Sequence, residues 1–168
     1  PGVKYSEIHL AAVTRLGSAL KELGIMKGNI QDAVKAGAMG LFMPHGLGHM
    51  MGLDVHDMEN YGENYVGYDK KNVRSTQFGL SSLRLGRELQ EGFVITNEPG
   101  CYFIPALIDK WKAENKCNDF IDYKVLETYK DFGGIRIEDD LLVTKDGCRL
   151  LGKYIPKTVN EIEEQMSL

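Results

Sequence analysis

The stretch from Gly37 to Asp57 constrains this chain more than any other. Five glycines (Gly37, Gly40, Gly46, Gly48, Gly52) punctuate it, and it holds His45, His49 and His56, three of the four histidines. Glycine at that density opposes helix and marks tight turns or close backbone approach. His45 and His49 stand four apart, as in a helical H-E-x-x-H zinc motif, but Gly46 and Gly48 lie between them and no Glu does. Gly46-x-Gly48-x-x-x-Gly52 is one residue too long for a dinucleotide loop, and no apolar strand leads directly into it. What remains is a glycine-shaped loop followed by an extended run, Leu53-Asp54-Val55-His56, presenting several imidazoles. A lone histidine is usually structural; three within twelve residues in this setting point to a site.

The rest of the composition sets limits on that site. With 168 residues, 43% hydrophobic and 26% charged, the chain suits one soluble domain with a core of its own. No apolar run approaches the roughly 20 residues of a membrane span. A net charge of −4 without a Lys/Arg stripe argues against nucleic acid as a partner. Cys101, Cys117 and Cys148 are too few and scattered for a disulfide framework and lack zinc-site spacing, so they read as reduced thiols of a cytoplasmic protein. The chain begins Pro1-Gly2-Val3 without Met, which reads as processing or as a piece of something longer.

The coarse pattern along the chain is α-α-β-α-β-β-α. Ile8, Ala12, Leu16, Ala19/Leu20 and Leu23 recur at helical steps between Ser6, an expected N-cap, and Gly24. A short helix runs through Gln31–Lys35, with Asn29 as its cap. Residues 59–77 are polar and read as a loop or lid. Residues 92–103 form a strand ending at Pro99-Gly100, and 105–131 are helical in two pieces. IRIEDDLLVT, the turn Lys145-Asp146-Gly147 and CRLL read as a β-hairpin. Thr158 followed by Glu161 is a capping box for a terminal helix. This order favours an α+β fold over a parallel βαβ sheet.

Two carboxylates then stand out. Glu98 ends an otherwise apolar strand, just before a proline that cannot continue the ladder. Glu138 alternates with Arg136 and Asp140 on one face, which by itself reads as a solvated sheet edge. The other reading joins Glu98 and Glu138, on neighbouring strands, with His49 around a hard or borderline cation. A glutamate among apolar strand residues is costly to bury unless paired or metal-bound.

PHGLGHxxGLDVHD, TNEPGCYF and GGIRIEDD, in that order and at those separations, resemble the pita-bread metallopeptidases. Within that superfamily the chain looks most like the Xaa-Pro peptidases, the prolidases and aminopeptidases P, over nearly its whole length. The resemblance implies the C-terminal portion of a pita-bread fold, a curved antiparallel sheet covered by helices. It implies two divalent metals, manganese first and cobalt or zinc next. Their five ligands are two aspartates, a histidine and two glutamates. His49, Glu98 and Glu138 match the last three. The aspartates lie upstream of the Pro-Gly-Val segment in that family, so the 168 residues correspond to part of a catalytic domain and would hold one cation or none.

By the same matching, His45 and His56 contact substrate and steady the developing oxyanion, and Glu98 also shuttles a proton. Arg84 engages the free carboxylate of a dipeptide, and Arg136 stands beside the last metal ligand. Asn97, where many relatives have Val, and Cys101 are departures that remove no ligand. The implied activity is metal-assisted hydrolysis of the bond before proline, by a homodimer when intact, with this chain alone inactive. Three readings stay open: dipeptidase, aminopeptidase P on longer peptides, and a non-catalytic pita-bread module that binds peptides or a protein partner.

Overall fold

The computed structural model describes residues 1–167. Helices α1 (Tyr5–Glu22), α2 (Ile30–Lys35) and α3 (Glu63–Gly67) come first, then strands β1 (Val94–Asn97) and β2 (Gly100–Tyr102). Helices α4 (Pro105–Ala113) and α5 (Tyr123–Leu126) follow, then β3 (Gly134–Arg136), β4 (Asp139–Thr144), β5 (Gly147–Leu150) and α6 (Val159–Met166). All strand pairs are antiparallel, as an α+β chain requires. Among the described residues no helix is long and apolar enough to cross a membrane.

Helix α1 turns a slightly different face inward from the one its aliphatic spacing predicts. Tyr5, His9, Val13, Gly17 and Leu20 are buried, while Ile8, Ala12 and Leu16 pack at the flank, half-buried. Leu23 and Ala19 are exposed. The inward row carries a tyrosine and a histidine, which aliphatic periodicity does not count. Ser6 is not the cap. Residues 2–5 pair with 87–89 (Gly2 N–H to Leu89 O 2.9 Å, Tyr5 N–H to Arg87 O 3.0 Å), and Ser6 Oγ donates to Gly86 O. Those backbone partners take the place of a side-chain cap. At the other end Gly24 is left-handed (φ 74°) and Ile25 N–H returns to Leu20 O, a Schellman closure. Asn29 caps α2 as its position predicts, accepting from Asp32 N–H at 3.1 Å.

The run 92–103 is two strands rather than one, and so is 134–144. β1 pairs with β4 from Val94↔Leu142 to Asn97↔Asp139, and β2 pairs with β3 from Gly100↔Arg136 to Tyr102↔Gly134. The register is the same on both sides of the break, which places Glu98 opposite Glu138 and Pro99 opposite Ile137. Pro99 has no N–H to give, although its carbonyl accepts from Ile137 N–H at 3.1 Å. The ladder therefore divides into a three-stranded sheet, β1-β4-β5, and a two-stranded ribbon, β2-β3. The β4–β5 hairpin closes at Thr144↔Gly147 across Lys145-Asp146, so Gly147 belongs to the strand.

The core gathers α1, α4, α5, the turn at Ala38–Leu41 and the loop after it, with Ile25, Phe42, Leu85, Ile121 and Leu126 fully buried. The polar segment 59–77 contains the short helix α3, which a loop reading leaves out. Residues 105–131 are helical in two pieces as expected, and Pro105 starts α4 in the first helical turn, where its missing N–H costs nothing. Helix α6 carries the full capping box: Thr158 Oγ1 accepts from Glu161 N–H, and the Glu161 carboxylate accepts from Thr158 N–H. Cys101, Cys117 and Cys148 are free thiols, Cys101 pushed up to about 11 by burial.

Candidate active site

The glycine-rich loop reaches the sheet as an extra strand. Glu98 N–H donates to Leu47 O (2.7 Å), Thr96 N–H to His49 O (3.0 Å) and Met51 N–H to Val94 O (2.9 Å), with a bridge between Met50 and Ile95. The extended part is therefore 47–51, and Leu53-Asp54-Val55 beyond it form an exposed bend, not the extended run expected there. Gly48 is dictated by this approach. A Cβ there would lie 2.1 Å from Thr96 O and 2.5 Å from the Tyr5 hydroxyl, which itself donates to Thr96 O.

His49 and Glu98 meet across that pairing. His49 Nε2 lies 3.2 Å from Glu98 Oε1, and both side chains are nearly closed to solvent. His49 Nδ1 lies 3.0 Å from Met50 O, an acceptor only, so Nδ1 carries a proton. Nε2 faces a second acceptor and must carry another proton or a cation. Burial pulls the His49 ring down, but the Glu98 hydrogen bond and the Met50 carbonyl outweigh it and the net shift is upward. Glu98 is 7% exposed. Burial pushes its carboxyl up; hydrogen bonds from His49 and Thr96, with the charges of His49 and Arg136, bring it below the usual range. Thr96 Oγ1 serves both partners, accepting from His49 N–H and donating to Glu98 Oε1, each at 3.0 Å.

Arg136 closes the other side. Its Nη1 donates to Glu98 Oε2 at 3.0 Å and its Nε to the Tyr102 hydroxyl at 2.6 Å. The His45 ring stands edge-on to Tyr102, 5.4 Å between centroids. Its Nδ1 faces Gly46 O at 2.7 Å, while Nε2 is buried without a hydrogen-bond partner. Burial first, then the Arg136 charge, hold His45 below its usual range against the Gly46 carbonyl. The loop itself hangs on His9, which is 2% exposed and whose Nδ1 accepts from Leu47 N–H at 3.1 Å.

His56 packs edge-on against His49 with centroids 4.3 Å apart, and its Nδ1 donates to Glu59 Oε2 at 2.8 Å. Arg84 stands behind that pair. Its Nη2 donates to Glu59 Oε1 (2.6 Å) and its Nη1 to Glu63 Oε2 (2.8 Å), while Glu63 Oε1 is held by Arg74. The Arg84 guanidinium, and after it His56, hold the Glu59 carboxyl below the usual range.

Of the residues singled out in the sequence, His45, His49, His56, Glu98, Arg84 and Arg136 thus fall in one connected region. Glu138 is the exception. It lies opposite Glu98 in register but is exposed, and among the described residues no group of three or more His, Cys, Asp or Glu stands in metal-holding geometry. The expected triad of His49, Glu98 and Glu138 is therefore not assembled. Two carboxylates directly opposite repel one another unless a cation lies between, and Glu98 is already neutralised by His49 and Arg136. The donors nonetheless suit a divalent cation at one point: His49 Nε2 and Glu98 Oε1 converge to 3.2 Å, a spacing that two ligands of one cation share. Thr96, Tyr102, Glu59 and His9 were not singled out. His9 alone had a usable signal, its four-residue spacing from Tyr5 and Val13.

A family model described as metallopeptidase family M24 matches residues 1–145. The Xaa-Pro dipeptidase of Homo sapiens is 41% identical over 167 residues, 99% of this chain and 32% of that protein. A probable Xaa-Pro aminopeptidase of Fusarium vanettenii is 39% identical over 166 residues, 99% of this chain and 34% of that protein. Among solved structures, zinc-substituted E. coli aminopeptidase P in complex with product aligns at TM-score 0.69 and 34% identity, covering 99% of this chain and 30% of that one. The chain spans about a third of the length of the relatives it matches.

Proposed function

This chain belongs to metallopeptidase family M24, and from that premise we propose that the whole protein hydrolyses the peptide bond before proline, as an Xaa-Pro dipeptidase. The fold is the pita-bread fold of aminopeptidase P. The observation that supports the chemistry best is His49 Nε2 aimed at the buried Glu98 carboxylate, with Glu138 opposite it in register. His49, Glu98 and Glu138 would hold the cation within this chain, manganese first, with cobalt or zinc suiting the same donors. Divalent cations, when bound, supply an activated water and polarise the scissile carbonyl.

The chain's own residues do the rest. Glu98 takes a proton from the attacking water and returns it to the leaving imino nitrogen. A bond before proline is a tertiary amide with no N–H to grip, so recognition falls on the ring and the carbonyl. His45 and His56 stand on either side of the His49–Glu98 pair to steady the oxygen of that carbonyl. Arg136 holds Glu98 Oε2 and so keeps one carboxylate face directed at the reaction. Arg84 would take the carboxylate that follows the proline in a dipeptide.

Residues 1–168 correspond in this reading to the C-terminal portion of the catalytic domain. The whole protein is expected to be a cytoplasmic homodimer acting on proline-containing peptides, not on nucleic acid or membranes. The aminopeptidase P reading draws on one specific observation: both terminal nitrogens of Arg84 already donate to glutamates of this chain, with which a substrate carboxylate would compete.

The test is turnover of an Xaa-Pro dipeptide beside a longer Xaa-Pro peptide by the full-length protein loaded with manganese. Glu98→Gln should lower kcat by about 10²- to 10⁴-fold. Hydrolysis that survives both chelation and Glu98→Gln would refute the assignment.

A further inference from the structure

Arg84, the residue read as a carboxylate anchor, already has carboxylate partners within the chain. Both of its terminal nitrogens donate to carboxylates of this chain, Glu63 on one side and Glu59 on the other. The two glutamates are held very differently. Glu63 sits on α3 with its side chain 18% exposed, and Arg74 grips its other oxygen. Arg74 is itself fixed by Asn64 and by Ser81 O. Glu59 belongs to no helix or strand, its side chain is 39% exposed, and its other oxygen rests only on His56. Glu63 is built in; Glu59 can leave.

The backbone around Glu59 is also unusual. Met58 (φ 57°) and Asn60 (φ 66°) are both left-handed, a conformation that non-glycine residues hold only where their surroundings impose it. The loop is bent on either side of Glu59, and the bend delivers its carboxylate to Arg84 and His56. Charge points the same way. Arg74, Arg84, Glu59 and Glu63 form a neutral set, so a fifth group bearing a carboxylate would leave it with an excess negative charge. Take Glu59 away, and the set carries one positive charge with half of a guanidinium fork free.

We propose that Glu59 is a specificity residue, an internal carboxylate that competes with the C-terminal carboxylate of a substrate for Arg84. The inference rests on reading Arg84 as the carboxylate anchor. A substrate carboxylate that takes Nη2 displaces Glu59 and so disturbs the Nδ1 partner of His56. A substrate whose chain continues past the proline bears no carboxylate there and leaves Glu59 in place. Glu59 thus narrows the margin by which the site prefers a dipeptide over a longer Xaa-Pro peptide, and couples occupancy of Arg84 to the orientation of His56.

The experiment needs binding, not turnover, and uses the full-length protein. N-acetyl-L-proline and N-acetyl-L-prolinamide are titrated into the wild type, Glu59→Gln, Glu59→Ala and Arg84→Ala, with ring-nitrogen NMR of His56 recorded alongside. Both Glu59 variants should bind the acid about three- to fivefold tighter, the scale of a half-exposed ion pair. The amide should bind all four proteins equally. The Nδ1–H of His56 should lose its fixed signal in Glu59→Ala and keep it in Glu59→Gln, whose amide oxygen can still accept. Acid binding that does not tighten in either Glu59 variant, no measurable binding included, overturns the proposal. Equal tightening of the amide overturns it too, since the loop would merely have opened. Acid binding unchanged in Arg84→Ala refutes the anchor reading itself; a loss there beside no gain in the Glu59 variants refutes only the role of Glu59.

Discussion

His9 shows how one side chain can serve both the core and the site. It lies on the buried stripe of α1, and its Nδ1 accepts the N–H of Leu47 at the start of the strand that carries His49. Burial, and then the nearby His45, lower its pKa from 6.5 to about 4. The native state therefore holds His9 neutral where the unfolded chain would bind a proton. Its contribution is complete above pH 6.5 and falls away as the pH drops toward 4, by at most about 3 kcal/mol. Urea midpoints measured across that range should decline for the wild type and flatten in His9→Leu; an unchanged slope would show that His9 does not drive the acid sensitivity. His9→Ala should cost about 2–4 kcal/mol, because it leaves a cavity and strands the Leu47 N–H. Gly48→Ala is the second residue-scale case. With Thr96 O only 2.1 Å from the added Cβ, the loop must leave β1, and we expect a loss of about 3 kcal/mol or more in equilibrium unfolding.

At the scale of elements, local chemistry and tertiary pairing divide the work. Thr158 and Glu161 announce α6 from sequence because a capping box is satisfied within four residues. None of the residues of α6 is buried, so its stability is local. Thr158→Ala should weaken the helix by about 1 kcal/mol, read as faster amide exchange over 161–166 with the core unaffected. The backbone N–H groups of Thr158 and then Lys157 hold Glu161 at about 2, so the cap should persist under acid. It is complete above pH 4.5 and lost only as the pH falls through about 2; protection that vanishes near pH 4.5 would contradict this. Ser6 fails as a cap for the opposite reason. The first turn of α1 is served by a segment eighty residues away, through Arg87 and Leu89, and no local pattern reveals a distant partner. The strand breaks are intermediate. Pro99 marks one from sequence, but that β3 and β4 part opposite it follows from the shared register alone.

At the scale of the molecule, one part of the site is closed and another faces solvent. His49 and Glu98 are paired, Glu138 is exposed, and beside them Ile135 and Ile137 expose apolar surface on β3 and just after it. We expect the 168-residue chain to show no measurable Xaa-Pro hydrolysis, and to take up at most one divalent cation in calorimetric titration, weakly. His49→Ala should abolish that uptake. Turnover by the purified chain, or two tight sites, would show that these residues suffice. The sequence by itself determined the α+β class and the helices with self-contained caps, and its motifs singled out His45, His49, His56, Glu98, Arg84 and Arg136 as the candidates that the fold brings into one region. It could do so because caps, periodicity and motif spacing are short-range properties of the chain. Only the tertiary structure decided that 47–51 pairs with β1, that His9 and Thr96 hold the site, that Glu138 is exposed opposite Glu98, and that Glu59 reaches Arg84. Those contacts join segments distant along the chain or depend on which oxygen each donor finds, and packing and charge balance settle them only once the fold has formed.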